Sequence, residues 1–141
     1  MEQLVEFAGN HVVLVAAFFV ILSALLWNLV ADPGGKGAVD PAGATELINH
    51  QDALVVDVRS MAEFKDGHII NAVNIPLNSF KNQLGQLEKH KHRPIVACCR
   101  SGSRSGAAVR TLRQAGFEKV HNLRGGMLAW ESANLPVKRR K

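Results

Sequence analysis

The chain has 141 residues and a net charge of +5, with 17 Lys and Arg against 12 Asp and Glu. That length holds one ordinary domain plus an extra segment, leaving roughly 100 residues for a globular core. The basic residues are dispersed and not interleaved with aromatics, which argues against a dedicated nucleic-acid binder. The two cysteines are adjacent, so they do not staple the fold, and no Cys/His spacing suits zinc. No metal or cofactor is expected, and a free thiol fits a reducing compartment. His90 and His92 lie two apart near a turn, a poor spacing for a shared metal.

Residues 1–11 form a short N-terminal segment that holds Glu2 and Glu6 and no Lys or Arg. Val12 to Val30 is uncharged, and only Ser23 and Asn28 interrupt its apolar run. At about 1.5 Å per residue this run matches a hydrocarbon layer of roughly 30 Å, so a transmembrane helix is predicted over 12–31. A cleaved signal peptide needs a basic start and a shorter apolar core. A core helix so apolar all round needs a larger protein about it. Trp27 suits the interfacial belt. All the Lys and Arg follow the span, and positive charge stays cytoplasmic. The expectation is a single-pass membrane protein, in the inner or plasma membrane if the source is bacterial, with its globular domain in the cytoplasm and the lipid bilayer as one partner.

Residues 32–39, which include Asp32-Pro33-Gly34-Gly35-Lys36-Gly37, read as a short flexible linker. The globular domain is expected over 40–136. Asp40-Pro41 is an N-cap with proline at the first helical position, opening a helix through Ile48. Leu54 to Val58 is a buried strand. Ser60-Met61-Ala62-Glu63 has capping-box spacing for a small helix that ends before Gly67. Ala72 to Ile75 is a second strand. Leu77 to about His90 is an amphipathic helix with Phe80, Leu84 and Leu87 on one stripe. Ile95 to Cys98 is a third strand, and Ser105 to Ala115 a helix closed by Gly116. Val120 to Leu123 is a fourth strand, and Met127 to Ser132 a last helix. Residues 137–141, Val137-Lys138-Arg139-Arg140-Lys141, are a basic tail, either solvated or set against anionic headgroups.

Strands alternating with helices imply an α/β fold with a parallel sheet covered on both faces. Ligands then bind beyond the carboxyl ends of the strands. Arg59 follows the first strand, and Cys99 follows the third. Strand alternation places Cys98 and Cys99 on opposite faces, so Cys98 reads as a small core residue. Cys99 opens the polar loop Arg100-Ser101-Gly102-Ser103-Arg104-Ser105 ahead of a helix. Main-chain amides of such a loop converge on an anion, and the helix N-terminus adds positive charge. With two arginines added, thiolate is favoured over thiol, which makes Cys99 a candidate nucleophile.

The loop resembles the active-site loop of the rhodanese family, Cys-Arg-x-Gly-x-Arg-Ser/Thr, with Cys99, Arg100, Gly102, Arg104 and Ser105 in place. Val55-Val56-Asp57-Val58-Arg59, Glu63-Phe64, Gly67-His68-Ile69-Ile70-Asn71-Ala72-Val73-Asn74-Ile75-Pro76, Gly116-Phe117 and Leu123-Arg124-Gly125-Gly126-Met127-Leu128-Ala129-Trp130 are similar to the family's other signatures. The resemblance spans about residues 40 to 135. It implies a rhodanese-like fold and a sulfurtransferase of the thiosulfate class, with Cys99 carrying a persulfide. Arg100, Ser101, Gly102, Ser103, Arg104 and Arg59 are then expected to bind substrate, with Asp57 and Ser105 in support; a backbone cap by Asp57 and a structural ion pair of Arg59 are equal alternatives. His68 is expected to pack structurally. The implied partners are a small anionic sulfur donor such as thiosulfate, or a persulfide, and a thiol, cyanide or protein acceptor. The related phosphatases and arsenate reductases resemble Cys-x5-Arg, a longer loop for a tetrahedral oxyanion, whereas Cys99 to Arg104 is Cys-x4-Arg. Rhodanese-like domains without the cysteine serve as interaction modules, which makes a membrane-tethered binding module the alternative.

Overall fold

The computed structural model describes residues 1–30 and 37–140. Two units divide the chain, Met1–Pro33 and Gly34–Lys141. The first holds α1 (Glu2–Asn10) and α2 (Val12–Val30), which break at His11 and bend by 94°. Gly9, Asn10 and His11 are poor helix formers, which suits a break there. Among the described residues no single helix is long and apolar enough to cross a membrane, though the bent pair passes that test together. The expected span over 12–31 is therefore helical from residue 12, is preceded by a second helix where only a short segment was expected, and has its last residue outside the described residues. Asp32 to Lys36 of the expected linker also lie outside them.

The second unit is built on five parallel strands in the order β1-β6-β5-β2-β4. These are β1 (Ala38–Val39), β2 (Leu54–Asp57), β4 (Val73–Asn74), β5 (Ile95–Cys98) and β6 (Val120–Leu123). The central strands β2 and β5 are buried along their whole length, so their sequences read apolar throughout rather than alternating. Helices α3 (Pro41–Gln51) and α6 (Gly126–Ser132) cover one face, with Ala44, Met127 and Trp130 against Val55, Val96 and Cys98. Helix α5 (Ser103–Gln114) and the segment 77–90 cover the other, with Leu112, Phe80 and Leu87 against Val56, Ala97 and Cys99. Burying each of these large side chains contributes about 2 kcal/mol.

Local signals place several boundaries. Asp40 caps α3, its carboxylate accepting from the Gly43 amide at 2.8 Å, with Pro41 at the first position. Ser60 caps α4 (Met61–Asp66), its hydroxyl accepting from the Glu63 amide at 3.3 Å.

Three elements differ from expectation. Leu77–Ser79 and Lys81–His90 are 3-10 rather than α-helical. Asn78, Asn82 and Gly85 weaken an α-helix there, and turns of three residues stack Leu77 on Phe80 and Leu84 on Leu87. Ala38 and Val39, expected in the linker, form β1 beside Asn122 and Leu123. Val137 and Lys138, expected in the basic tail, form β7, which pairs antiparallel with Ile69 and His68 of β3 (His68–Ile69). The Arg140 amide then donates to the Lys65 carbonyl at 3.0 Å, so the tail is held at least that far.

Candidate active site

Cys99 follows the last residue of β5, at the carboxyl edge of the sheet where the chain turns into α5. The turn depends on Gly102, whose φ of +106° lies in the left-handed region that a side chain disfavours. Bent this way, the loop aims the Gly102 amide at the Cys99 Sγ, 3.0 Å away. The Ser105 hydroxyl reaches the same sulfur at 3.3 Å. Helix α5 begins at Ser103, so the positive end of its dipole also points towards the sulfur.

The carbonyls of the loop are turned the other way. Cys99 O accepts from the Met127 amide at 2.8 Å, and Arg100 O from the Leu128 amide at 3.1 Å. Both donors are free N–H groups of the first turn of α6, which would otherwise lack partners. This close approach requires Gly126, at φ +56°. A Cβ there would sit 2.6 Å from Arg100 O and nearer still to Cys99 O. The motif Leu123-Arg124-Gly125-Gly126 thus has a physical purpose: it pulls the loop's acceptors outward and leaves its donors facing the thiol.

Cys99 is fully covered, and burial by itself raises a thiol pKa. Hydrogen bonds from the Ser105 hydroxyl, and from the amides of Ser105, Gly102 and Ser101, outweigh that penalty and bring the Cys99 pKa below its ordinary value. Cys98 is equally covered but sits in the apolar cluster on the opposite face, where burial pushes its thiol well upward. The alternation expected from the strand is therefore present, and only one of the two thiols has its pKa lowered.

Ser105 is fully buried and has one hydroxyl hydrogen with three acceptors in reach. These are Asn122 Oδ1 at 2.6 Å, Gly102 O at 3.1 Å and Cys99 Sγ at 3.3 Å. Asn122, at the carboxyl end of β6, also donates through Nδ2 to Gly102 O at 3.0 Å. Sequence reasoning missed Asn122. The available signal was a polar amide next to the last residue of β6, on the same sheet edge as Cys99.

Arg59 and Arg104 were expected to meet an anionic donor, with a structural ion pair weighed evenly for Arg59, and both hold a carboxylate. Arg59 is buried, with Nε 3.0 Å from Asp57 Oδ1 and Nη2 2.7 Å from Asp57 Oδ2. Its Nη2 also donates to Gly67 O at 2.7 Å. Burial opposes the Arg59 charge, but Asp57 more than reverses this and raises the pKa. Arg104 donates through Nη1 and Nη2 to the two oxygens of Glu63, each at 3.0 Å. That fork holds the Glu63 carboxyl down to about 2, against a smaller penalty from burial. Glu63 was read as a capping residue, and its second partner lies 41 positions away. Arg100 is exposed and, among the described residues, makes no side-chain hydrogen bond or ion pair. Ser101 and Ser103 are exposed as well, so Ser101 contributes its amide rather than its hydroxyl. His68 is buried, stacks on Phe64 with ring centres 3.7 Å apart and bonds Phe64 O through Nδ1, a structural role as expected.

A crevice of about 200 Å³ lies beside the loop. Its walls include Arg59, Glu63, Asp66, Arg100, Leu128 and Glu131. No group of three or more metal-ligating side chains occurs among the described residues.

The architecture defines a class: a parallel α/β domain that holds one ionisable thiol in a cradle of amides at a strand's carboxyl end. The Rhodanese-like domain family model matches residues 40–133, and the chain belongs to that family. The chain is 36% identical, over the full length of both proteins, to the uncharacterized protein YibN of Escherichia coli K12. It is 38% identical to a sulfurtransferase of Allochromatium vinosum, over 64% of this chain and 83% of that one. A crystal structure of a rhodanese-related protein from Thermoplasma volcanium superposes with a TM-score of 0.66 at 30% identity, covering 72% of this chain and 97% of that one.

Proposed function

We propose that the chain is a sulfurtransferase of the thiosulfate sulfurtransferase class that carries a sulfane sulfur on Cys99. The observation that carries this reading is the set of donors on Sγ: the Gly102 amide at 3.0 Å and the Ser105 hydroxyl at 3.3 Å. They stabilise the thiolate that attacks and the persulfide anion that results. In the first half-reaction Sγ bonds to the outer sulfur of thiosulfate or of a persulfide, and the donor's S–S bond breaks. The electron pair leaves on sulfite or on the donor thiolate. In the second, a thiol, cyanide or protein acceptor attacks the outer sulfur and Cys99 leaves as thiolate. Two half-reactions on one cysteine give ping-pong kinetics. The name borne by the Allochromatium vinosum relative supports this reading.

The test is intact-mass spectrometry after exposure to a sulfur donor. Cys99 is expected to gain one sulfur atom, which cyanide or dithiothreitol then removes. No adduct, with partner binding unchanged in Cys99→Ala, would instead identify the membrane-tethered interaction module.

Membrane attachment belongs to the same proposal. Support comes from the uncharged run Val12–Val30, whose large apolar side chains from Val12 to Trp27 are mostly exposed. The distribution of Lys and Arg supports a cytoplasmic catalytic domain. Full-length protein is expected in the membrane pellet after carbonate washing, with Cys99 protected from protease added outside intact cells. Recovery of the chain in the soluble fraction would overturn this part.

A further inference from the structure

The pairing of Arg104 with Glu63 has a consequence for the donor. Thiosulfate is a dianion, and its recognition needs cations that are free to meet it. Of the three arginines expected at the site, two are engaged. The Arg104 guanidinium faces both oxygens of Glu63 at 3.0 Å, and the Arg59 guanidinium is buried against Asp57. The crevice beside the loop then carries Glu63, Asp66 and Glu131 against Arg59 and Arg100. Asp66 and Glu131 have no ion-pair partner among the described residues. With Glu63 and Arg59 each held in a pair, the crevice sets Asp66 and Glu131 against Arg100 among the described residues, an excess of one carboxylate, which disfavours a dianion.

We infer that Cys99 takes its sulfur from a thiol-borne hydropersulfide, R–S–SH, in preference to thiosulfate, and that Glu63 is the residue that sets this preference. The inference rests on the sulfur-transfer reading above. The hydropersulfide is electrophilic in its neutral form, which meets no such repulsion, and its anion carries one charge where thiosulfate carries two. The Cys99 thiolate bonds to the outer sulfur, and the donor's S–S bond breaks. The electron pair leaves on the inner sulfur as R–S⁻. The proton of the outer sulfur passes to that thiolate or to water, leaving the Cys99 persulfide anion. The sulfane sulfur changes carrier without net oxidation or reduction, so no further reagent is needed. Glu63 acts by occupying Arg104; it touches neither reacting sulfur.

The experiment measures sulfur loading of Cys99 in the full-length chain in detergent micelles, with sodium thiosulfate and with cysteine hydropersulfide as alternative donors. The hydropersulfide is expected to load the wild type about a hundredfold faster at equal concentration, and added salt to raise the thiosulfate rate by screening the carboxylates. Glu63→Gln frees Arg104 and is expected to raise the ratio of thiosulfate to hydropersulfide kcat/KM about tenfold. Asp66→Asn and Glu131→Gln, which remove charge without breaking that pair, should each raise the ratio about threefold and keep the test open should Glu63→Gln fold poorly. A lost structural contact lowers both rates together and leaves the ratio alone. Equal loading of the wild type from the two donors, or a ratio unmoved by all three variants, overturns the preference. Loading from neither donor overturns sulfur transfer itself.

Discussion

Cys98 closes β5 within the apolar cluster of Val55, Val96 and Trp130, while Cys99, the next residue, lies under the amides of the following loop. Neither side chain reaches solvent. Exposure alone therefore does not separate them, although Cys98 lies the deeper of the two. On the face of Cys98 no described residue donates a hydrogen bond to the sulfur, and burial, with the charge of Asp57, pushes its thiol well upward. On the face of Cys99, which lies nearer the surface, three backbone amides and a hydroxyl outweigh the desolvation penalty. The comparison teaches that covering a cysteine silences it only when the cover is apolar. The same edge of the sheet sets one thiol above its ordinary pKa and its neighbour below it.

The largest effect is expected from exchanging the chemistry of the two positions. Cys99→Ser should lose sulfur loading by about a thousandfold or more, because an alcohol neither ionises nor holds a sulfane sulfur under these conditions. Cys98→Ser should load normally in the same mass assay. It should instead lower the unfolding free energy by about 1–3 kcal/mol, since it buries a hydroxyl in an apolar cluster. Loading that survives in Cys99→Ser and fails in Cys98→Ser would invert the assignment.

Gly126→Ala comes next, since it attacks the difference between the two faces without touching either sulfur. The new Cβ strikes the carbonyls of Cys99 and Arg100 at a backbone angle that already disfavours side chains. The strain should cost about 2–3 kcal/mol in chemical denaturation. Forcing α6 away also releases those carbonyls, so the loop amides lose their common direction and loading should slow about tenfold.

How much of this was legible in sequence follows from how far each interaction reaches. Asp40, Ser60 and Gly102 act on backbone within three residues, so their caps and turn could be read from local chemistry. The opposed faces of Cys98 and Cys99 follow from the two-residue period of a strand. Asn122 and Glu63 meet their partners 17 and 41 positions away, and only the folded sheet and its helices bring them there. For that reason Arg104 read as a free cation when it is half of an ion pair. Strands β1 and β7 hold two residues each, too few to show a period, and they exist because β6 and β3 offer open edges. In 77–90 the apolar spacings of 3, 4 and 3 favour a turn of 3.6 residues, so the stripe alone points to an α-helix.

Ser105→Ala sharpens the comparison by making Cys99 more like Cys98. It removes the strongest of the groups that lower the Cys99 pKa. The thiolate exists above the pKa, so a lowered pKa means reactivity that persists to lower pH. In wild type the rate of alkylation by iodoacetamide should reach half its maximum below the pH of an ordinary thiol. In Ser105→Ala that midpoint should move upward by about one unit, the worth of one hydrogen bond to a charged group. Asn122→Ala should move the midpoint the other way if at all, because it frees the Ser105 hydrogen from its shortest alternative at 2.6 Å. A midpoint unmoved in Ser105→Ala would assign the activation to the amides alone.

The smallest effect lies at the Glu63–Arg104 pair, which ties α4 to the first turn of α5 beside the loop. The Glu63 carboxyl is depressed from 4.5 to about 2, chiefly by the hydrogen bonds from Arg104. A depressed carboxyl contributes stability that is complete above its unfolded pKa and is lost as the pH falls through the folded one. The window here runs from about pH 4.5 down to about pH 2. The two side chains retain 35% and 40% exposure, so solvent screens the pair. After that discount its contribution is about 1 kcal/mol rather than what the full shift would imply. Thermal unfolding of Glu63→Gln should therefore lie about 4 °C below wild type at pH 7. The gap should close as the pH is taken down through that window, because protonated Glu63 and glutamine are then alike. A gap that stays constant to pH 2 would show that Glu63 holds α4 by packing and capping, with Arg104 free to turn towards an anion after all.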